Sequence, residues 1–81
     1  MAQTYDSITI QVDEHPSDRG VYVVSALLCR GDYCKSDEPV EIRGARAAAA
    51  YAKNGAEFWQ QIHPTASVVA IDHRGREIWS K

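Results

Sequence analysis

Two cysteines separated by four residues, Cys29 and Cys34 in "LLCRGDYC", are the side chains of this 81-residue chain best suited to chemistry. Two thiols can form a disulfide, share a metal or cycle redox states. The intervening gap is not the two-residue gap of thioredoxin-like or zinc-binding pairs, and the chain holds no second pair. His15, His63 and His73 show no ligand spacing around them, so no metal and no cofactor are expected. A four-residue connection allows the cysteines to stand opposite each other on neighbouring strands, with Cβ atoms about 4.5–5.5 Å apart. A bridge there needs a close, non-hydrogen-bonded pair. Two reduced structural thiols are the expectation, with a hairpin disulfide as the alternative. The enclosed Arg30-Gly31-Asp32 resembles an adhesion tripeptide, but glycine and aspartate are turn residues, and the segment reads as a hairpin tip.

The remaining polar residues carry weaker signals. His15 and His63 each precede a proline and His73 sits in a turn-rich stretch, with no partner acid or nucleophile at a spacing that would make a base. No enzyme is expected. "IRGARAAAA" enters a helix with one glycine, which is not a phosphate loop. Arg43, Arg46, Arg74 and Arg76 lie near the helix start and the final turn, the residues a nucleic-acid-associated accessory protein would use. Asp13, Glu14, Asp18, Asp37, Glu38 and Glu41 oppose them, and no aromatic is interleaved.

Composition narrows the classes further. A net charge of -2 argues against a dedicated nucleic-acid binder. With 44% hydrophobic and 25% charged residues the chain folds as one domain over residues 1–81. No apolar run reaches membrane-spanning length, and "MAQTYDSITIQV" lacks the blocks of a secretory signal. A cytoplasmic, reducing setting is the expectation.

The elements that must position these residues follow from periodicity. Ser7 to Val12 alternates strictly, with Ile8, Ile10 and Val12 inward. "DEHPSDRG" is a loop, and Val21 to Cys29 is a strand that is apolar on both faces. "RGDY" reverses the chain, "SDEP" delays the next strand, and Pro39 to Arg43 forms it. "GARAAAAYAKNGAEFWQQIHP" is the single helix, its alanines facing the sheet and Trp59 and Ile62 anchoring its second half. Asn54-Gly55 is a candidate break within it, and Pro64 ends it. Ala66 to Asp72 and Glu77 to Ser80 form a closing hairpin across "DHRGR". The expected fold is α+β: an antiparallel sheet of four to five strands in the order β-β-β-α-β-β, with one helix on one face.

One helix covers one side of a sheet, yet Val21–Cys29 is apolar on both. If the helix takes the other side, Tyr22, Val24, Ala26 and Leu28 require a partner surface, and Tyr22, Val24 and Leu28 are the expected partner-binding residues, toward another protein or a second copy in a dimer. "HPSDRGVYVVSA", "GARAAAAYA" and "ASVVAIDHRGREIW" loosely resemble small bacterial and phage-encoded β-β-α-β-β domains, including some type I anti-CRISPR proteins. That resemblance implies a phage or mobile-element inhibitor that blocks a complex by occupying its surface. The expected function is a non-enzymatic protein-binding module.

Overall fold

The computed structural model describes residues 4–81. Six strands and one helix follow in the order β1 (Ser7–Glu14), β2 (Val21–Arg30), β3 (Tyr33–Ser36), β4 (Val40–Arg43), α1 (Ala45–Ile62), β5 (Ser67–Ile71) and β6 (Glu77–Ser80). They form one sheet in the order β3-β2-β1-β5-β6, with β4 also paired to β2. The α+β class and the single helix packed on one face agree with the sequence expectation; the strand count is six. The sheet is antiparallel as expected except at one pairing: β1 and β5 run parallel, Ser7 beside Ser67 and Gln11 beside Ile71. The connection between β4 and β5 is the helix, and a crossover of that length returns the chain in the same direction.

β3 and β4 lie end to end along one edge of β2 and behave as a single interrupted strand. Cys34 and Ser36 oppose Cys29 and Leu27 on β3, while Val40 and Arg43 oppose Val24 and Val21 on β4. Between them, Ser25 and Ala26 face three residues, Asp37, Glu38 and Pro39. The Asp37 amide still donates to the Ala26 carbonyl at 2.9 Å. One extra residue on one strand is a bulge, and Pro39 supplies no donor to mend the ladder.

The hairpin tip rests on Gly31, whose φ of +59° suits the first central position of a two-residue turn. The carboxylate of Asp6 accepts the Gly31 amide at 2.6 Å and ties the tip back to the segment before β1. A second tie comes from Lys35, whose ammonium sits 5.8 Å from the Tyr5 ring centroid. A hydrogen bond with Tyr5 raises the Lys35 pKa above the ordinary lysine value. Cys29 and Cys34 are directly paired and joined by a disulfide, with Cα atoms 4.1 Å apart. That replaces the expected reduced thiols. The separation matches the close, non-hydrogen-bonded class of opposed residues, which is where a bridge fits. Such a link persists in an oxidising compartment and opens in a reducing one.

The helix packs on the face of β1 that carries Ile8, Ile10 and Val12. Ala48, Ala52 and Ala56 recur every four residues and are fully buried there, beside Val68 and Ala70 of β5. Side chains no larger than a methyl let the two backbones approach closely. The helix is continuous through Asn54-Gly55, so the candidate break is corrected: Gly55 keeps ordinary helical φ and neighbouring packing holds the turn. Pro64 follows the last helical turn, as expected. Of the two expected anchors, Trp59 packs partly against the core, whereas Ile62 is exposed.

Two stability predictions follow from this packing. Ala52→Leu places three extra carbons where the helix touches the sheet and lowers unfolding free energy by about 1–3 kcal/mol. Ala50→Leu, on the exposed side of the same helix, changes it by no more than about 0.5 kcal/mol. Chemical denaturation of the pair checks the difference. Separately, replacing both cysteines with serine costs on the order of 2 kcal/mol under oxidising conditions, the loop-closure entropy of so short a loop. The cost shrinks when a reductant opens the parent's bond, and an identical gap with and without reductant contradicts the assignment.

Candidate functional site

The register of the sheet decides which face of β2 the helix covers. Leu28, Ala26 and Val24 sit opposite Ile8, Ile10 and Val12, so they share the helix-facing side. Val24 and Leu28 are buried in the core, and Tyr22 is half-buried against it with its ring 5.0 Å from that of His73. The expected contact surface of Tyr22, Val24 and Leu28 is therefore corrected: those side chains lie beneath the helix. Because β2 is apolar on both sides, periodicity alone could not choose between them. The opposite face carries Val23, Leu27, Val69 and Ile71 interspersed with Ser7, Thr9, Gln11 and Ser25, a mixed surface on which Gln11 and, among the apolar residues, Leu27 are exposed.

A second surface is more sharply formed. Along the helix, Tyr51, Phe58 and Ile62 form a stripe beside the buried alanines and are exposed by 45%, 57% and 51%. Spacings of seven and four residues place them on one face. Facing Tyr51 and Phe58 across a gap is the bulge between β3 and β4. Asp37, Glu38 and Val40 line that side, and Ile10, Val24 and Ala26 form the floor. The cleft, half open to solvent, measures about 370 Å³. Trp59 closes one end, its ring stacked on His63 at 5.7 Å and edge-on to Phe58 at 6.0 Å. Val24 is thus the one expected contact residue that reaches this cleft, from below.

Two local features open the cleft. The extra residue at Asp37–Pro39 bends the edge strand away from the sheet. Gly55 stands on the helical wall between Tyr51 and Phe58, and a Cβ built there meets nothing within 4 Å. No backbone demand explains this glycine, since its φ is not positive.

The four arginines gather at one end of the fold. Arg43 pairs with Val21, the Gly44 amide donates to the Gly20 carbonyl at 2.8 Å just before the helix carrying Arg46, and His73 reaches Tyr22 from the β5–β6 turn that holds Arg74 and Arg76. Acidic groups share that end. Arg76 is occupied by the buried Asp72, its Nε donating at 3.1 Å to one carboxylate oxygen. The amides of Arg74 and Arg76 each donate at 2.9 Å to the other oxygen. His15 braces the neighbouring loop by accepting the Asp18 amide at 2.9 Å, and its Nε2 lies 3.2 Å from Glu41. Arg76 is thus committed to the β5–β6 turn, and His15 with Glu41 to the neighbouring loop, which leaves carboxylates interspersed with the cations at this end.

Among the described residues, no three His, Cys, Asp or Glu side chains gather as metal ligands. No described helix is long and apolar enough to cross a membrane. Comparison with protein families, curated proteins and solved structures finds no match to this chain.

The Asp72 turn makes an acid-stability prediction. The Arg76 amide, followed by the Arg74 amide and the Arg76 side chain, holds the Asp72 carboxyl below its ordinary pKa of 3.8, against the opposing effect of burial. A group whose folded pKa is depressed stabilises the fold above its unfolded pKa. That contribution is lost as pH falls through the depressed folded value. Thermal unfolding should thus show a loss of stability on acidification below about pH 4 that Asp72→Asn reduces. An unchanged acid slope in the asparagine variant would mean that other carboxylates set it.

Proposed function

We propose that this chain is a small non-enzymatic protein-binding module that acts by occupying a partner's surface, with the cleft beside Gly55 as its contact. The observation that carries the proposal is Gly55 itself. The helix uses alanine at five of its first six positions and glycine once. An interior glycine costs roughly 0.5–1 kcal/mol relative to alanine. Neither backbone geometry nor a close approach requires it here. What it does supply is open volume between two exposed rings. A stability cost without a structural return is expected where a surface must receive something.

The exposed rings support the same reading. Tyr51 and Phe58 offer large contact area with few rotatable bonds, the kind of residue that anchors interfaces. The resemblance to phage-encoded domains, including type I anti-CRISPR proteins, agrees with a module that works by obstruction. Cytoplasmic residence in a bacterial host belongs to that same proposal, and in that reducing setting the Cys29–Cys34 link would be open. The arginine-based nucleic-acid reading is not taken further, because carboxylates are interleaved with the cations at that end.

Gly55→Ala should raise unfolding free energy by about 0.5–1 kcal/mol, read from denaturant midpoints. Photo-crosslinking tests the contact: benzoylphenylalanine at position 58, irradiated in a bacterial lysate, should yield discrete protein adducts. Position 53, on the exposed side of the helix, should not. Gly55→Leu should suppress the adducts while circular dichroism stays unchanged. Equal adducts at both positions, or none at either, would overturn the proposal.

A further inference from the structure

The chemistry of the cleft selects among protein partners. Its floor and helical wall are mostly apolar, Ile10, Val24 and Ala26 below and Tyr51, Phe58 and Trp59 beside, with Ser25 and Asn54 the polar exceptions. Its opposite rim carries Asp37 and Glu38, and no lysine or arginine lines it anywhere. One Asp37 oxygen accepts the Glu38 amide at 2.9 Å. Neither carboxylate forms an ion pair among the described residues, where the two pairs are His15–Glu41 and Arg76–Asp72.

Lys35 feels the charge of Asp37 without closing an ion pair on it, so a neutral or acidic apolar partner seated here would strip water from one weakly screened carboxylate, Asp37, and from Glu38, which forms no ion pair among the described residues, and that is costly. A cation carried next to an apolar anchor would compensate them. We propose that the cleft receives an apolar side chain presented beside a lysine or arginine, that is, a basic-flanked apolar segment of a protein partner. This rests on the protein-binding reading above and adds the class of partner. The volume, near the lower end of the about 300–1,000 Å³ typical of binding pockets, suits an anchor side chain with its immediate neighbours. The net charge of -2 favours approach of a positively charged segment.

Trp59 in the cleft wall provides the readout. In a Trp79→Phe background, where Trp59 is the remaining tryptophan, its emission is titrated with three synthetic peptides of equal length. One holds a leucine flanked by lysines, one a leucine flanked by glutamates, and one a serine flanked by lysines. Only the lysine-flanked leucine peptide should give a saturating change. Asp37→Asn combined with Glu38→Gln should weaken it about five- to tenfold and flatten its salt dependence, since each rim pair is solvent-exposed. Gly55→Leu should abolish it with circular dichroism unchanged. Equal binding of the lysine- and glutamate-flanked peptides would overturn the charge assignment. So would a serine peptide that binds as well as the leucine one. Silence from all three peptides, with position-58 crosslinks intact, would overturn the proposed partner class and leave the protein-binding reading standing. A doubled mass in light scattering that Gly55→Leu returns to the monomer would overturn it in favour of a second copy.

Discussion

The seam of Ala48, Ala52 and Ala56 against β1 is the contact on which the rest of this fold depends. With the helix contributing nothing larger than a methyl group at this seam, the two layers meet closely and a single helix can shield Ile8, Ile10, Val12, Val24, Leu28 and Val68 together. The close approach also limits how much side-chain volume the centre can hold. Bulk is displaced to the margins, where Tyr5, Tyr22, Trp59 and Trp79 fill the space under the helix ends and sheet edges. Those marginal aromatics are then only partly buried, with Tyr5 the exception. Rings that a larger core would swallow are left within reach of solvent.

The cleft is a second consequence of the same economy of volume. A regular edge strand and a regular alanine helix would close against each other along their whole length. Here the edge strand takes on one residue too many at Asp37–Pro39, and the helix omits a methyl group at Gly55. Neither departure alone would leave a cavity of this size, because side chains from the other wall would lean in. Together they leave two carboxylates facing two rings across an apolar floor, a combination that water solvates poorly on one side and well on the other.

How much of this could be read in advance depends on what each residue type encodes. Strict alternation at Ser7 to Val12 and the four-residue recurrence of alanine located β1 and the helix directly. The direction of β1 relative to β5 was not legible, because a period of two is the same for parallel and antiparallel partners. Nor was the covered face of β2, since Val21, Val23 and Leu27 are as apolar as Tyr22, Val24 and Leu28. The bulge looked like an ordinary connection because Ser36, Asp37, Glu38 and Pro39 are turn formers wherever they occur. The disulfide was weighed against an assumed compartment, and compartment is not written in the spacing of Cys29 and Cys34. For the cleft, the sole advance signal was the pair Tyr51 and Phe58 beside the apolar arc of the helix, which pattern alone could not distinguish from a wide core face.

The parallel pairing of β1 with β5 has a bearing on how the chain reaches this state. β1 is the middle of the sheet, yet its partner on one side, Ser67 to Ile71, lies on the far side of every other strand but one in chain order. The β1–β2–β3–β4 portion can assemble through near neighbours, but β1 then waits with one backbone edge unpaired until the helix has formed and β5 swings back. Long-range pairing of this kind slows folding and prolongs the life of species with an open edge. During that interval the chain carries an alternating apolar strand with unused hydrogen-bonding groups, the arrangement most prone to recruit another copy. Closure of β5 on β1 is therefore the step at which intramolecular pairing competes directly with pairing to another chain.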